Sequence, residues 1–427
     1  MRIVRPRDKD YARFLASLDR RAAPAPEVEK TVREIIAAVE RKGDVALLRY
    51  ARKFGGPALT APRLRVPDRE LAAAWKSLDA PTRRALQAAH RNISAFARKS
   101  LRRNWSSRNT QGAKVGERFD PFQRVGIYVP GGTAPLVSTA LMTCTFAAVA
   151  GVPEIVAVSP AGKDGSLNKA LLAALHIAGA TEVYRVGGAQ AVAALACGTK
   201  SIRPVAKIFG PGNSYVVEAK RQLFGRVAID LLPGPSEVLV IADRTARPSW
   251  VAADLLAQAE HGRDSIALLV TDSATMLEAV AREIRAQAAT LPRGAILQES
   301  LQGGALVLVR SPAEAVELAN KFACEHVSLQ VAKPASLAGA LRTSGAIFLG
   351  GWSPVAAGDF LAGPSHELPT GGAGKSFAGL TADQFQRRTS IVEFDRLALA
   401  KSTPLIEAFA RVEGLAAHGC SARIRLE

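Results

Sequence analysis

Four of the six histidines sit among other polar residues at spacings that could do chemistry. In ADLLAQAEHGRD, Gln258 and His261 are three apart on a helical pattern, so they share a face. An imidazole beside an oxygen ligand can hold zinc, although taken alone such a pair is more often the polar end of a helix. In FACEHVSLQV, Glu325 and His326 are adjacent at the mouth of a strand. A neighbouring acid and imidazole suit general acid–base chemistry, because their surroundings can tune their pKa values apart; a strand-edge pair facing opposite ways is the competing interpretation. In AAGDFLAGPSHELPTGGAGK, Asp359 and His366 lie in a loop crowded with glycine and proline, poor packing material that often carries function. Glu413 and His418 flank GLAA near the C-terminus, where a surface turn is the plain alternative. The other two histidines, His90 and His176, fall on amphipathic helical patterns and read as structural. Together these groups point to a metal-dependent enzyme.

Three loops add a second theme. GIYVPGGT (126–133), VGGAQAV (186–192) and FGPGNSYVVEAKR (209–221) each lead towards a helix through glycine or proline. Glycines at such a position let a phosphate approach backbone N–H groups at a helix start. The G-x-G-x-x-G fingerprint is absent. The pattern favours a nucleotide bound in a non-standard way.

These residues need a scaffold, and from about residue 124 the sequence supplies one. Val-, Ile- and Leu-rich runs at 124–130, 154–160, 183–189, 237–243, 265–272, 305–310, 326–332 and 346–351 read as buried strands. The segments 134–150, 165–179, 213–224 and 249–260 read as helices between them. Alternation of this kind predicts an α/β fold with parallel sheets covered on both faces, and 427 residues suffice for two of them. The first hundred residues read as largely helical, with a break at Gly43, and so does the stretch from about 381, which closes on the alternating SARIRLE.

Composition narrows the class. Hydrophobic residues make up 48% and charged residues 22%, the profile of a globular enzyme. No apolar run is long enough for a transmembrane helix, and the basic N-terminus lacks the apolar core of a secretory signal. Cys144, Cys197, Cys324 and Cys420 are scattered, which argues against a cysteine metal site and suits free thiols in the cytoplasm. The net charge of +18 is spread along the chain without interleaved aromatics, so a nucleic-acid platform is not expected.

The motifs converge on one family. GIYVPGGTAPL, VGGAQAVAALACGT, KIFGPGNSYVVEAKRQ, GPSEVLVIAD, LLAQAEHG, CEHV, GDFLAGPSHELPT and EGLAAH occur in the order and wording of histidinol dehydrogenases, and the chain resembles that family from about residue 25 to its end. The resemblance implies two Rossmann-like parallel-sheet domains with small helical N- and C-terminal appendages. It divides the chain into a 1–24 appendage, a catalytic domain from 25–127 and 237–380, an inserted NAD-contacting domain at 128–236, and a 381–427 appendage reaching the partner subunit. It implies one zinc per subunit on Gln258, His261, Asp359 and His418, the last from the other subunit of a homodimer. NAD contacts map to Tyr128, Gln190 and Asn213. L-Histidinol contacts map to Ser236, His326, Glu413 and His366 together with the zinc ligands. The implied reaction, the last of histidine biosynthesis, oxidises histidinol through histidinal to histidine, with His326 and Glu325 as the proton-transfer groups. This chain departs from common family wording at Cys324, Val327 and Ser328 and at Gly363-Pro364-Ser365, and is shorter than some members between Arg221 and Ile229. A paralogue acting on another small polar alcohol through zinc and NAD is the alternative; retained His366 and Glu413 speak against it.

Overall fold

A computed structural model describes residues 1–19, 25–131 and 135–427. The last part of the GIYVPGGT loop, Gly132 and Thr133, and the end of the expected 1–24 appendage lie outside the described residues.

Two parallel sheets organise the described chain, as the strand–helix alternation requires. The first has five strands in the order Glu182–Tyr184, Glu154–Val158, Arg124–Tyr128, Lys207–Phe209, Ala228–Ile229. The second has six, in the order Arg2–Val4, Ala305–Leu308, Ile266–Thr271, Glu237–Ala242, His326–Gln330, Ala346–Leu349. The central strands Arg124–Tyr128, Glu237–Ala242 and His326–Gln330 are buried along their whole length, because helices cover both faces. A small antiparallel sheet joins Gln386–Glu393 and Trp105–Arg108 to either side of Lys114–Pro121. The sequence reading missed these three strands, whose residues are largely exposed and carry no continuous apolar run. It also took the closing SARIRLE as alternating, where a helix spans Ala416–Arg423.

The N-terminal helices follow from local signals. Pro26–Lys42 begins on a proline, has Glu27 and Glu29 in its first turn and Arg41 and Lys42 in its last, all favourable to the helix dipole. It buries Val32, Ile35, Ala38 and Val39, one helical face. Gly43, at φ +51°, stops it before Asp44–Lys53 begins.

The family resemblance places residues 25–127 with 237–380. In the structure, side chains of Pro26–Lys42, Asp44–Lys53, Asp68–Ser77 and Ala80–Ser100 share buried cores with the five-stranded sheet instead. An amphipathic pattern specifies a buried face but not what covers it. The first residues also depart from a helical appendage: Arg2–Val4 is an edge strand of the six-stranded sheet, and Val4, Tyr11 and Leu18 belong to its core. At the far end the 381–427 segment begins inside the first body, where Ala382 and Phe385 are fully buried. No described helix is long and apolar enough to cross a membrane.

The amino edge of the five-stranded sheet is clamped by one buried side chain. Arg124 begins the central strand; its guanidinium meets Glu154 at 2.6 Å and Glu182 at 2.8 and 2.9 Å, the first residues of the next two strands. These bonds hold the Glu182 carboxyl down to about 2. Arg124→Ala leaves Glu154 and Glu182 with only the largely exposed Arg203 as a cation, and a lower urea midpoint for the first body is expected.

Candidate active site

The site lies between opposite edges of the two sheets. Chain direction in the five-stranded sheet reverses beside Arg124–Tyr128: successive units run from it through Glu154–Val158 to Glu182–Tyr184, then return to Lys207–Phe209 on its other side. Such a switch point, at the carboxyl ends of parallel strands, is where open α/β sheets bind ligands. Tyr128 ends its strand there, and its hydroxyl accepts the Gly188 N–H at 3.0 Å. Gly210 has φ +107°, and a Cβ on it would run into the Tyr128 carbonyl. Gln190 is buried in the first turn of Gly188–Cys197, with its side-chain oxygen unpartnered. Asn213 caps Ser214–Leu223, its side-chain oxygen accepting from the Tyr215 and Val216 N–H groups at 3.1 and 3.2 Å. The three glycine loops therefore meet at one edge, with an orphaned amide oxygen among them, which fits a dinucleotide.

The six-stranded sheet contributes its amino edge. Helix Pro312–Phe322 closes on Ala323, whose φ of +53° places a non-glycine residue in the left-handed region. The strand starts only at His326, so Glu325 stands just before it. Residues within one strand alternate faces, but this pair straddles the strand's start, and the Glu325 carboxylate lies 3.6 Å from the His326 ring. Glu325 Oε2 accepts from the Ser236 hydroxyl at 2.6 Å and from the Glu237 N–H at 2.8 Å. The His326 Nδ1 lies 3.1 Å from the Glu237 carbonyl oxygen, which can only accept, so Nδ1 carries the proton. That leaves Nε2 as the basic atom, buried without a hydrogen-bond partner and 3.6 Å from the Asp359 carboxylate.

A cavity of about 580 Å³ joins the two edges. Ser236, His261, Glu325, His326, Asp359 and His366 line it on one side; Thr139, Gly210 and Asp230 face them. Gln258 lies one helical turn before His261, 2% exposed, with both amide atoms unpartnered. A buried primary amide without partners is costly, and ligation of a cation by its oxygen would remove that cost. Gln258, His261 and Asp359 thus fit an N/O metal site. Glu413 and His418 are exposed on the C-terminal helices and do not line the cavity. Among the described residues, no three histidine, cysteine or acidic side chains of this one chain converge as a metal cluster.

Burial dominates the electrostatics. It lowers the pKa of His326, against the pull of the Asp359 carboxylate, and lowers His261 and His366 likewise. The imidazoles are held neutral, as bases and ligands must be. Burial pushes Glu325 well above the usual carboxylate range, against the hydrogen bonds from Ser236 and Glu237, and the Glu237 and Asp359 carboxylates add to the rise.

The comparisons with known proteins agree with this geometry. The sequence model of the histidinol dehydrogenase family matches residues 18–426. This chain belongs to the histidinol dehydrogenase family. It is similar to histidinol dehydrogenases of Geobacillus kaustophilus, at 45% identity over 94% of each chain, and of Syntrophotalea carbinolica, at 45% over 100% and 99%. The crystal structure of histidinol dehydrogenase from Elizabethkingia anophelis superposes with a TM-score of 0.94 at 33% identity, covering 100% of this chain and 98% of that one. Membership makes the chain an oxidoreductase of histidine biosynthesis.

Several site residues escaped the sequence reading. Thr139 and Thr143, four apart in the largely apolar VSTALMTCTFAAV, turn one polar stripe towards Glu367 and His366. That spacing, and the acid directly after His366, were the available signals.

The Ser236 hydroxyl favours the ionised form of Glu325. Its removal in Ser236→Ala should raise that pKa and move the acid limb of the pH–rate profile up by about one unit. An unmoved limb shows that Glu325 does not titrate in turnover.

Proposed function

We propose that the cavity oxidises L-histidinol in two successive steps, through L-histidinal to L-histidine, and uses two NAD per turnover. The observation that carries this reading is the pair Glu325–His326 at the cavity wall, two proton-transfer groups with different tasks, facing the glycine-loop edge of the other sheet. NAD contacts fall to Tyr128, Gln190 and Asn213. Zinc would be held by Gln258, His261, Asp359 and His418 of the partner subunit. When bound, these two groups supply an electrophilic anchor for the substrate nitrogens and an acceptor for each hydride.

The protein's part is proton transfer and position. His326 Nε2 takes the hydroxyl proton as the first carbon–hydrogen bond breaks, and its Nδ1–H, fixed on the Glu237 carbonyl, keeps the ring in place. Glu325 then takes a proton from the water that adds to the aldehyde carbon; its raised pKa brings it nearer the working pH as a base. The resulting hydrate anion gives up the second hydride and its remaining hydroxyl proton to become the carboxylate. Enclosure keeps the aldehyde from solvent between the steps. Ser236, His366 and Glu413 complete the substrate contacts.

The C-terminal helices support a homodimer. Arg396–Val412 and Ala416–Arg423 pack on each other and leave Leu405, Phe409, Val412 and Ile424 exposed, Val412 by 85%. Apolar surface of that kind marks an interface, and His418 and Glu413 ride on it. The scattered cysteines, of which Cys144 and Cys324 are buried, suit a reducing cytoplasm.

Counting NADH formed per histidinol consumed tests the reaction: two are expected, and a ratio of one refutes the two-step reading. Glu325→Gln should retain oxidation of histidinol to the aldehyde and fail with histidinal, whereas His326→Asn should impair the alcohol step more, by about 100- to 10,000-fold. Equal, small losses in both half-reactions would make the pair bystanders.

The shared site makes its own prediction. His261→Ala and His418→Ala chains, each inactive and zinc-poor alone, should regain about one quarter of wild-type sites when mixed, since half of the dimers form heterodimers with one intact site. No recovery of zinc or turnover after verified subunit exchange overturns the sharing.

A further inference from the structure

Glu367 is a fully buried acid that the mechanism above does not use. It lines the cavity beside His366, yet reaches away from the reacting groups. Its Oε1 is in hydrogen-bond contact with the Thr143 hydroxyl, while its Oε2 is buried with no partner. One turn earlier on the same helix, Val137–Val149, the Thr139 hydroxyl lies 3.0 Å from His366 Nε2. His366 Nδ1 lies 3.0 Å from the Asp359 carbonyl oxygen and must donate to it, so Nε2 accepts from Thr139. Two consecutive residues of the loop, His366 and Glu367, are thus fastened to two successive turns of a helix that belongs to the five-stranded body.

Proton counting decides the state of Glu367. The Thr143 hydroxyl has one proton and two close oxygens, the Thr139 carbonyl at 2.8 Å and Glu367 Oε1. The carbonyl can only accept. Both contacts are hydrogen bonds only when Glu367 supplies a proton, so that its O–H donates to Thr143 and Thr143 donates to Thr139. An ionised carboxylate would also leave a charged oxygen, Oε2, buried without a donor, which is far costlier than a bare neutral carbonyl.

Resting on the proposed role of His366 as a substrate contact, we propose that Glu367, as a neutral acid, is a positioning residue: it latches helix Val137–Val149 to the His366 loop and so sets His366 across the cleft. The charged and titratable groups around it fit this state. From the strand end comes Asp230, and from helix Ser214–Leu223 comes Lys220, paired with each other and fully buried, so they bring no net charge. Lys207 lies behind that pair, Cys144 faces Glu367 from the latched helix, and His366 adjoins it in the loop. Burial pushes the Glu367 carboxyl up to about 8; Asp230 adds to the rise, and Thr143 and Lys220 oppose it.

An acid whose folded pKa lies above its unfolded value stabilises the fold fully below about pH 4.5 and loses that contribution as pH rises through about 8. Above that point the donor to Thr143 is gone.

The test compares Glu367→Gln, which keeps a neutral group with a donor, with Glu367→Leu and Thr143→Val, which remove the bond. In the wild-type protein at pH 7, infrared difference spectra against Glu367→Gln should show the carbonyl stretch of a protonated carboxyl. Thermal stability of the wild type should fall between about pH 4.5 and 8 relative to Glu367→Gln, and level off above that. With histidinol, Glu367→Gln should keep KM near the wild-type value, while Glu367→Leu and Thr143→Val raise KM about tenfold with a smaller change in kcat, the loss of one buried hydrogen bond. If Glu367→Leu does not fold, Thr143→Val carries the kinetic arm. A carboxylate band at pH 7, a Gln variant as impaired as Leu, or wild-type KM in both bond-removing variants overturns the proposal. The infrared and stability arms use no substrate, so they stand apart from the assignment of the reaction.

Discussion

The backbone of one residue, Glu237, holds both side chains of the Glu325–His326 pair. Its N–H donates to the Glu325 carboxylate, and its carbonyl accepts from His326 Nδ1. Both bonds form because the strands Glu237–Ala242 and His326–Gln330 are parallel neighbours, with His326 opposite Val238. Strand register and the geometry of the pair are therefore coupled: a slip of one residue would exchange the faces of the pair and remove both bonds. The Glu237 side chain is itself buried and accepts the Gly371 N–H at 2.9 Å, which ties the loop carrying His366 to the same point. The left-handed turn at Ala323 then delivers Glu325 to the strand mouth rather than to the opposite face.

Placing this pair in a dry cleft changes what each group can do. The imidazoles lose the hydration that would favour their charged forms, and the acids resist ionising, so proton affinities move towards one another. The two sheets share the work of burial. One offers carboxyl edges with glycine loops, the other an amino edge rich in donors and acceptors, and neither alone encloses the cavity.

The long buried strands and the helices between them were legible because their apolar runs or periods are unbroken. His261, Glu325, His326, Asp359 and His366 stood out in the sequence by type, spacing or glycine-rich context, and the fold brings them to one cavity. What sequence did not reveal is which surfaces meet. The helices between 26 and 100 showed an apolar face but not its partner sheet. Exposed strands such as Trp105–Arg108 are held by ladder bonds rather than burial and leave no period to read. Thr139 and Thr143 looked like minor polar residues in an apolar helix, and their meaning appears only where the loop at 365–367 comes against them.

The parallel pairing of Arg2–Val4 with Ala305–Leu308 carries a consequence for synthesis on the ribosome. The first strand made must wait for some three hundred further residues before its neighbour exists. The body built from residues 26–229 can assemble most of its core in that interval, although Ala382 and Phe385 join it only later. Throughout, the leading segment, with Val4, Tyr11 and Leu18 destined for the other core, remains an unpaired apolar lead. Long sequence separation makes that closure a late, slow step. Until that pairing forms, the segment from Val4 to Leu18 keeps apolar side chains in reach of holdase chaperones.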